Sequence, residues 1–160
     1  MVSVLTFFYF EVKKEVEEEK IYTEGSKITL DSPPCLQMFY YIEKYSEEYK
    51  IPKQYAYGIA WKETGYLGPF DWDYYPGQES FAGAVGPMQV MPSTASFVWR
   101  KKIQRSDLKN DIELNVKTSM KYLRYLHNNH KNWKIVFGFY NTGRPVVNQY
   151  AVDVYNYNQN

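Results

Sequence analysis

Apolar residues recur at helical spacing in six stretches of this 160-residue chain, all between Ser32 and Tyr155. The longest stripe runs from Ile112 to Leu126, and residues three or four apart on a helix share a face that can be buried. The alternation typical of strands is weak in the same region. The pattern predicts a single, mainly α domain, with a small irregular or β element near the loop that follows Tyr66.

Capping residues, prolines and glycines set the predicted ends of these helices. Gly65 and Gly143 fit helix ends, because glycine adopts the left-handed conformation that closes a helix without strain. Side-chain caps and first-turn prolines mark helix starts. The predicted starts are Asp31-Ser32, Pro52, Pro92, Asp111, Trp133 and Pro145.

Glu63 lies near the end of the second predicted helix, on the stripe formed by Ala56, Ile59 and Ala60. Apolar neighbours disfavour a charged carboxylate and raise its pKa, and the carbonyl end of the helix dipole acts in the same direction. A carboxyl group that keeps its proton near neutral pH is suited to cleaving a glycosidic bond, because the leaving oxygen must be protonated. Glu63 is therefore the predicted catalytic acid.

Two further segments carry small and polar residues in a distinctive order. Residues 83–92 have the sequence GAVGPMQVMP, which predicts a tight turn leading into a helix. Small residues in such a turn also let a saccharide approach the backbone closely. Residues 139–143, with the sequence FYNTG, follow about fifty residues later and end a predicted helix.

Taken in this order, the three segments resemble the catalytic domain of soluble lytic transglycosylases, enzymes that cleave bacterial cell-wall glycan. That family carries a Glu-Ser-like motif, then Ser-x-x-Gly-Ala-x-Gly-Leu-Met-Gln, then Ala-Tyr-Asn. The matching positions, spread over roughly Met38 to Tyr155, are Glu63, Ser80, Gly83, Ala84, Gly86, Met88, Gln89, Tyr140 and Asn141. The chain departs from the pattern at Thr64, Pro87 and Phe139, and its Glu63–Ser80 segment is several residues longer than is common in the family.

The resemblance implies a lysozyme-like α+β fold, shared with goose-type lysozymes. It also implies cleavage of the β-1,4 bond between N-acetylmuramic acid and N-acetylglucosamine, with formation of 1,6-anhydromuramic acid and without a cofactor. Glu63 would act first as acid and then as base. The implied substrate-binding residues are Ser80, Met88, Gln89, Met91, Tyr140 and Asn141.

Glycosidases commonly use a second carboxylate as nucleophile or as base for water. The nearest in sequence are Asp71, Asp73 and Glu79, which we interpret as solvated loop charges. With one carboxylate, the N-acetyl oxygen or the 6-hydroxyl of the substrate must attack the anomeric carbon. Two alternatives stay open: a hydrolytic muramidase of the goose-type kind, and a catalytically silent glycan-binding or assembly module.

Composition excludes little else. The formal net charge is +1 and no basic stripe stands out, so nucleic-acid binding is not expected. Cys35 is the only cysteine, which excludes an intrachain disulfide. His127 and His130 have no ligand set nearby in sequence, so no metal site is predicted. The expected partner is the glycan strand of peptidoglycan, bound by a monomer.

Residues 1–30 are predicted to be a separate N-terminal segment, either a signal remnant or an extended arm, and residues 31–160 the lysozyme-like domain. Residues 2–10 are apolar but too short to span a bilayer, and they lack a basic region or a small-residue cleavage site. No membrane span is predicted. Because peptidoglycan lies outside the cytoplasmic membrane, we expect a cell-envelope location, periplasmic or extracellular. Bacterial and phage origins both stay open.

Overall fold

A computed structural model of the chain describes residues 28–157. Most of the predicted N-terminal segment, residues 1–27, therefore lies outside the described residues. Within residues 28–157 the chain forms seven helices and almost no strand, which confirms the mainly α prediction. The helices are α1 (Pro34–Glu48), α2 (Lys53–Thr64), α3 (Pro92–Trp99), α4 (Arg105–Asn110), α5 (Ile112–His130), α6 (Trp133–Thr142) and α7 (Gln149–Tyr155).

Three details of the sequence prediction were wrong. Residues 28–157 form one helix more than the six predicted, because α4 buries only Leu108 and so shows no apolar period. At α1 the N-cap is Pro33, without a side-chain cap, rather than Asp31-Ser32. The last helix begins at Gln149 rather than Pro145, because the side chain of Asn148 accepts a hydrogen bond from the backbone N–H of Ala151 and caps it there.

Helix α5 is the centre of the domain. It packs against α1, α3, α4 and α6, while α2 packs against α1 and α7. The predicted stripe is buried along its length, and Val116, Met120 and Leu123 are fully inaccessible. Burying one such side chain stabilises a fold by roughly 1.5–3 kcal/mol, so this stripe fixes the frame on which the loops rest.

The long loop between α2 and α3 combines buried and exposed aromatic rings. Tyr66 and Tyr74 lie in the core, where their rings pack edge to face with centroids 4.9 Å apart. Trp72 and Tyr75 are exposed. The predicted β element consists of two isolated antiparallel bridges, which pair Val85 with Glu79 and with Val90. The loop is thus anchored by its tyrosines and closed by a short turn that faces the end of α2.

Candidate active site

Glu63 is the penultimate residue of α2. The apolar stripe that it shares on α2 is inaccessible to solvent, because Ala56, Ile59 and Ala60 are fully buried. Gly65 ends the helix in the left-handed conformation, with φ of 74°, and donates its N–H to the carbonyl of Trp61. Helix α2 therefore holds one half-buried carboxyl group at its carbonyl end, as the sequence predicts.

The surroundings of Glu63 favour its protonated form. Burial raises its pKa from the ordinary 4.5 to about 7, against the lowering effects of a hydrogen bond from Tyr150 and of the nearby Lys62. The hydroxyl of Tyr150 donates to Glu63 Oε1 at 2.6 Å. Lys62 is held by Asp153, with 2.8 Å between Nζ and Oδ2. Close to pH 7, both protonation states of Glu63 are consequently populated.

The raised pKa predicts a cost in stability. A rise from 4.5 to about 7 corresponds to about 3 kcal/mol between the two protonation states. Because the folded protein holds this proton more tightly than the unfolded chain, stability is lost as pH rises through this range. Glu63→Gln should therefore be more stable than the wild type at about pH 8 and nearly equal at about pH 4. Urea unfolding at both pH values measures the difference, and an equal gain at both would contradict a buried titrating Glu63.

Gln89 is fixed by its backbone and by its amide. Its φ of 47° is left-handed, and its Nε2 donates to the carbonyls of Gln78, at 3.1 Å, and Gly86, at 2.9 Å. Since both partners are acceptors, the orientation of the amide is settled and Oε1 points the other way. Gln78 in turn donates its own Nε2 to the carbonyl of Thr64, 3.0 Å away. These hydrogen bonds through Gln78 link the end of α2 to Gln89.

Thr64 joins the glutamate helix to the glycine-rich turn. Its buried Oγ1 lies 2.9 Å from the carbonyl oxygen of Pro87 and 2.8 Å from the hydroxyl of Tyr74. The carbonyl of Ala60, one helical turn back, is 3.2 Å away. The hydroxyl of Thr64 therefore joins α2 to the glycine-rich turn, a role that the serine of the family motif could fill equally well.

Asn115 of α5 supports the same turn from below. It is fully buried, its Oδ1 accepts from the N–H of Met88 at 3.0 Å, and its Nδ2 donates to the carbonyls of Val85 and Leu108. Gly86 lies against it with φ of 78°, and a Cβ at Gly86 would come within 2.3 Å of Asn115 Nδ2. The second glycine of the motif is therefore required both by its conformation and by this close approach.

Tyr140 of α6 holds the glycine-rich turn through its hydroxyl group. Its hydroxyl donates to the carbonyl of Met88 at 2.6 Å and accepts from Ser119 at 3.0 Å. Burial raises its pKa far above the ordinary value, and the negative charge of Glu63 adds to the rise. Tyr140 also lines a small pocket, whose other lining residues are Gln89, Val90, Met91, Thr94, Ser119 and Tyr122 and do not include Glu63.

The remaining predicted site residues differ in how far their side chains are exposed. Met91 is exposed at the rim of this pocket, whereas the side chain of Met88 is fully buried, so only its backbone faces Tyr140. Ser80 is exposed, and its Oγ accepts from the N–H of Ala84. Asn141 is exposed and accepts from Asn148 at 2.9 Å.

The other loop carboxylates have their own partners or lie at the surface. Glu79 forms ion pairs of 2.7 Å with Arg105 and Lys109, which hold its pKa below the usual range. Asp71 accepts from the backbone N–H of Leu67, and Asp73 is exposed. None of these groups contributes to the shifted pKa of Glu63. Among residues 28–157, no three His, Cys, Asp or Glu side chains lie together as metal ligands would.

The sequence profile of the transglycosylase SLT domain matches residues 40–160. This chain belongs to that family. The chain is similar to two solved structures, a complex of the 70-kDa soluble lytic transglycosylase with bulgecin A and the 70-kDa soluble lytic transglycosylase Slt70 from Escherichia coli. Each match covers 72% of this chain, with 26% sequence identity and a TM-score of 0.55. An inactive variant of the lytic transglycosylase Slt from Pseudomonas aeruginosa shares the fold over 65% of the chain, at 18% identity and a TM-score of 0.54. Among the curated proteins nothing matches.

The present chain spans 16% to 18% of the length of these solved chains. The likeness therefore covers one domain of each, and it confirms the lysozyme-like helical fold for the SLT domain described here.

Sequence reasoning missed two residues of the SLT domain site. Neither Tyr150 nor Asn115 is marked as a site residue by a local sequence motif. Tyr150 reaches Glu63 across 87 positions of sequence, and Asn115 reaches the turn across 27 to 30. The signal in the sequence for Asn115 is its position three residues after Ile112, which puts an amide on the apolar face of the predicted helix.

Proposed function

We propose that this SLT domain is a lytic transglycosylase that cleaves the β-1,4 bond between N-acetylmuramic acid and N-acetylglucosamine in peptidoglycan. The observation that carries the proposal is Glu63, a half-buried carboxyl group at the end of α2. Burial raises its pKa to about 7, and no second carboxylate of residues 28–157 contributes to that rise. Membership of the family and the likeness at 26% identity to a soluble lytic transglycosylase support it.

In the proposed mechanism Glu63 works twice. Its proton passes to the glycosidic oxygen as the bond to the anomeric carbon breaks and the electron pair leaves with that oxygen. The resulting carboxylate then takes the proton from the 6-hydroxyl of muramic acid, whose oxygen attacks the anomeric carbon and closes the 1,6-anhydro ring. Atoms balance without added water. Near pH 7 both states are accessible, so one group can serve as acid and then as base.

The walls of the site would bind the sugar. Gln89 offers Oε1 as an acceptor, since its Nε2 is occupied by two carbonyls. Tyr140 holds the Met88 backbone in place and would shape the cleft near Glu63. Ser80, Met91 and Asn141 are exposed and would contact substrate at the rim, and Met88 would act through its backbone.

We propose that the protein works as a monomer on glycan strands in the cell envelope, periplasmic or extracellular, because peptidoglycan lies there. Within residues 28–157 no helix has the length and apolar character needed to cross a membrane.

The direct test is release of soluble muropeptides from purified sacculi by the intact chain, followed by chromatography. We expect release that rises with time and protein concentration. Sacculi that bind the protein but release nothing would contradict the proposal and favour the glycan-binding or assembly module.

Tyr150 gives a prediction on pH dependence. Its hydrogen bond lowers the pKa of Glu63, so Tyr150→Phe should raise that pKa further. The proton donor then survives to higher pH, and the alkaline limb of kcat/KM should move upward even as the maximal rate falls. A pH profile on soluble glycan fragments measures both. An unchanged alkaline limb would mean that Glu63 is not the group whose ionisation limits the reaction.

A further inference from the structure

Two neighbouring residues of α2 are bound by two residues of α7. The carboxyl Oε1 of Glu63 accepts from the hydroxyl of Tyr150 at 2.6 Å, and Lys62 Nζ lies 2.8 Å from Asp153 Oδ2. Tyr150 and Asp153 are three residues apart, so they lie on the same face of α7. Helix α7 is therefore attached at two points to the end of α2 that carries Glu63.

The carboxylate of Asp153 is held from both sides. Its Oδ1 accepts from Nε2 of Gln149, one helical turn earlier, at 2.7 Å, while its Oδ2 accepts from Lys62. Lys62 also lies over the ring of Trp61, with Nζ 5.3 Å from the ring centre. The side chains of Lys62 and Asp153 are only 27% and 28% exposed. Partners on each side restrict both side chains, so this ion pair keeps one geometry, unlike most ion pairs at a protein surface.

Direct packing fixes how closely α2 and α7 approach. A Cβ at Gly58 of α2 would come within 3.1 Å of the carbonyl oxygen of Val154 and within 2.9 Å of the Cβ of Tyr157. The ring of Tyr157 packs on that of Trp61, with centroids 5.6 Å apart. The close contact at Gly58 sets the distance between the two helices, and the ion pair one turn further along α2 limits rotation of α7 about that contact.

We propose that Asp153 is a positioning residue for the cleavage reaction, which holds α7 where Tyr150 can bind Glu63. It acts through Lys62, and the inference rests on the proposed role of Glu63 as the acid. Without the ion pair, α7 can turn about the contact at Gly58. A displacement of about 1 Å takes the hydroxyl of Tyr150 out of hydrogen-bond distance. The carboxyl group then loses its fixed orientation toward the glycosidic oxygen, which slows the chemical step.

The charges around Glu63 give this proposal a test by sign. Burial raises the pKa of Glu63, the hydrogen bond from Tyr150 lowers it, and the charge of Lys62 lowers it to a smaller extent. Burial and then the charge of Glu63 raise the pKa values of Tyr150 and of Tyr140 on α6. Asp153→Asn leaves Lys62 without its counter-charge, which by itself lowers the pKa of Glu63. Loss of the hydrogen bond from Tyr150 raises it instead, so the two explanations predict opposite shifts.

The test is a double-mutant cycle on soluble glycan fragments, with Asp153→Asn, Tyr150→Phe and both together. Asp153→Asn should lower kcat by about five- to tenfold with little change in KM, and should move the alkaline limb of kcat/KM upward. In the Tyr150→Phe protein the same change should cost less than about twofold, because the contact that it disturbs is already absent. Lys62→Gln breaks the same ion pair from α2 and should show the same non-additivity.

Glu48→Gln is the matched control, because it breaks another ion pair between two helices, that of Glu48 on α1 with Lys117 on α5. It should change neither kcat nor the pH profile. An alkaline limb of Asp153→Asn that stays in place or moves downward, or equal losses of kcat in both backgrounds, would overturn the inference while Glu63 remains the acid. A wild-type protein that turns over no substrate would overturn the proposed function and this inference together. Circular dichroism of each variant establishes that the fold is intact.

Discussion

Glu63→Gln should reduce release of muropeptides from sacculi by about 10³-fold, because the amide has nearly the same shape but no proton to give. The hydrogen bond from Tyr150 can still be accepted by the amide oxygen, so the site should keep its geometry. The fold should survive as well, since the variant no longer buries a group that ionises. Initial rates on purified sacculi at about pH 6 measure the effect.

Glu79→Gln is the matched control for this prediction. Glu79 is a carboxylate of the same loop region, but it is committed to Arg105 and Lys109. Its loss should change the rate only slightly, since exposed ion pairs contribute little to stability. Two results would overturn the assignment of Glu63 as the acid. One is a Glu63→Gln protein that keeps more than a few per cent of wild-type activity, and the other is a Glu79→Gln protein whose rate falls by about 10³-fold.

Asn115→Ala should give the largest loss of stability, about 3–5 kcal/mol in the free energy of unfolding. The alanine leaves the N–H of Met88 and the carbonyls of Val85 and Leu108 without partners in a fully buried site. Because these groups belong to the turn that carries Gln89, activity should fall even where the protein is still folded. Urea unfolding and initial rates at low temperature measure the two effects.

Asn129→Ala tests whether the effect is specific to that site. Asn129 is on the same helix, is exposed, and donates only to the carbonyl of Tyr125. Its replacement should change stability by no more than about 0.5 kcal/mol. A similar small loss for Asn115→Ala would show that the turn is held by other contacts.

Residues that act through local pattern were predictable from the sequence. Glu63 follows from a stripe and a glycine stop, because helix periodicity fixes which side chains share a face. The same logic failed at α4, where one buried leucine makes no period, and at Pro145, where the cap of Asn148 decides the start of α7. Propensity indicates where a helix can begin, but a side-chain cap nearby determines where it does.

Residues that act across the fold were not predictable in the same way. Tyr150 meets Glu63 only because α7 packs on α2, and Asn115 reaches the turn only because α5 lies beneath it. Such contacts depend on the packing of helices that are far apart in sequence, which no local pattern specifies. The roles of Thr64 and Gln78 likewise became clear only from their partners.

The burial of Glu63 joins stability to chemistry. Burial raises the pKa of Glu63 because the charged carboxylate is poorly solvated there. The free energy of unfolding should therefore fall at alkaline pH, where Glu63 is charged. Tyr150 and Lys62 offset part of this cost and keep the pKa near neutrality. A proton donor that also accepts a proton in the next step needs that balance.

We propose that Glu63 works without a second carboxylate, so that the 6-hydroxyl of the substrate closes the reaction. Mass spectrometry of muropeptides released in water enriched in the heavy oxygen isotope distinguishes this mechanism from hydrolysis. We predict products ending in 1,6-anhydromuramic acid, one water molecule lighter than the hydrolysis products and free of heavy oxygen. Predominantly reducing ends that carry the heavy isotope would rule out this mechanism and identify a hydrolytic muramidase.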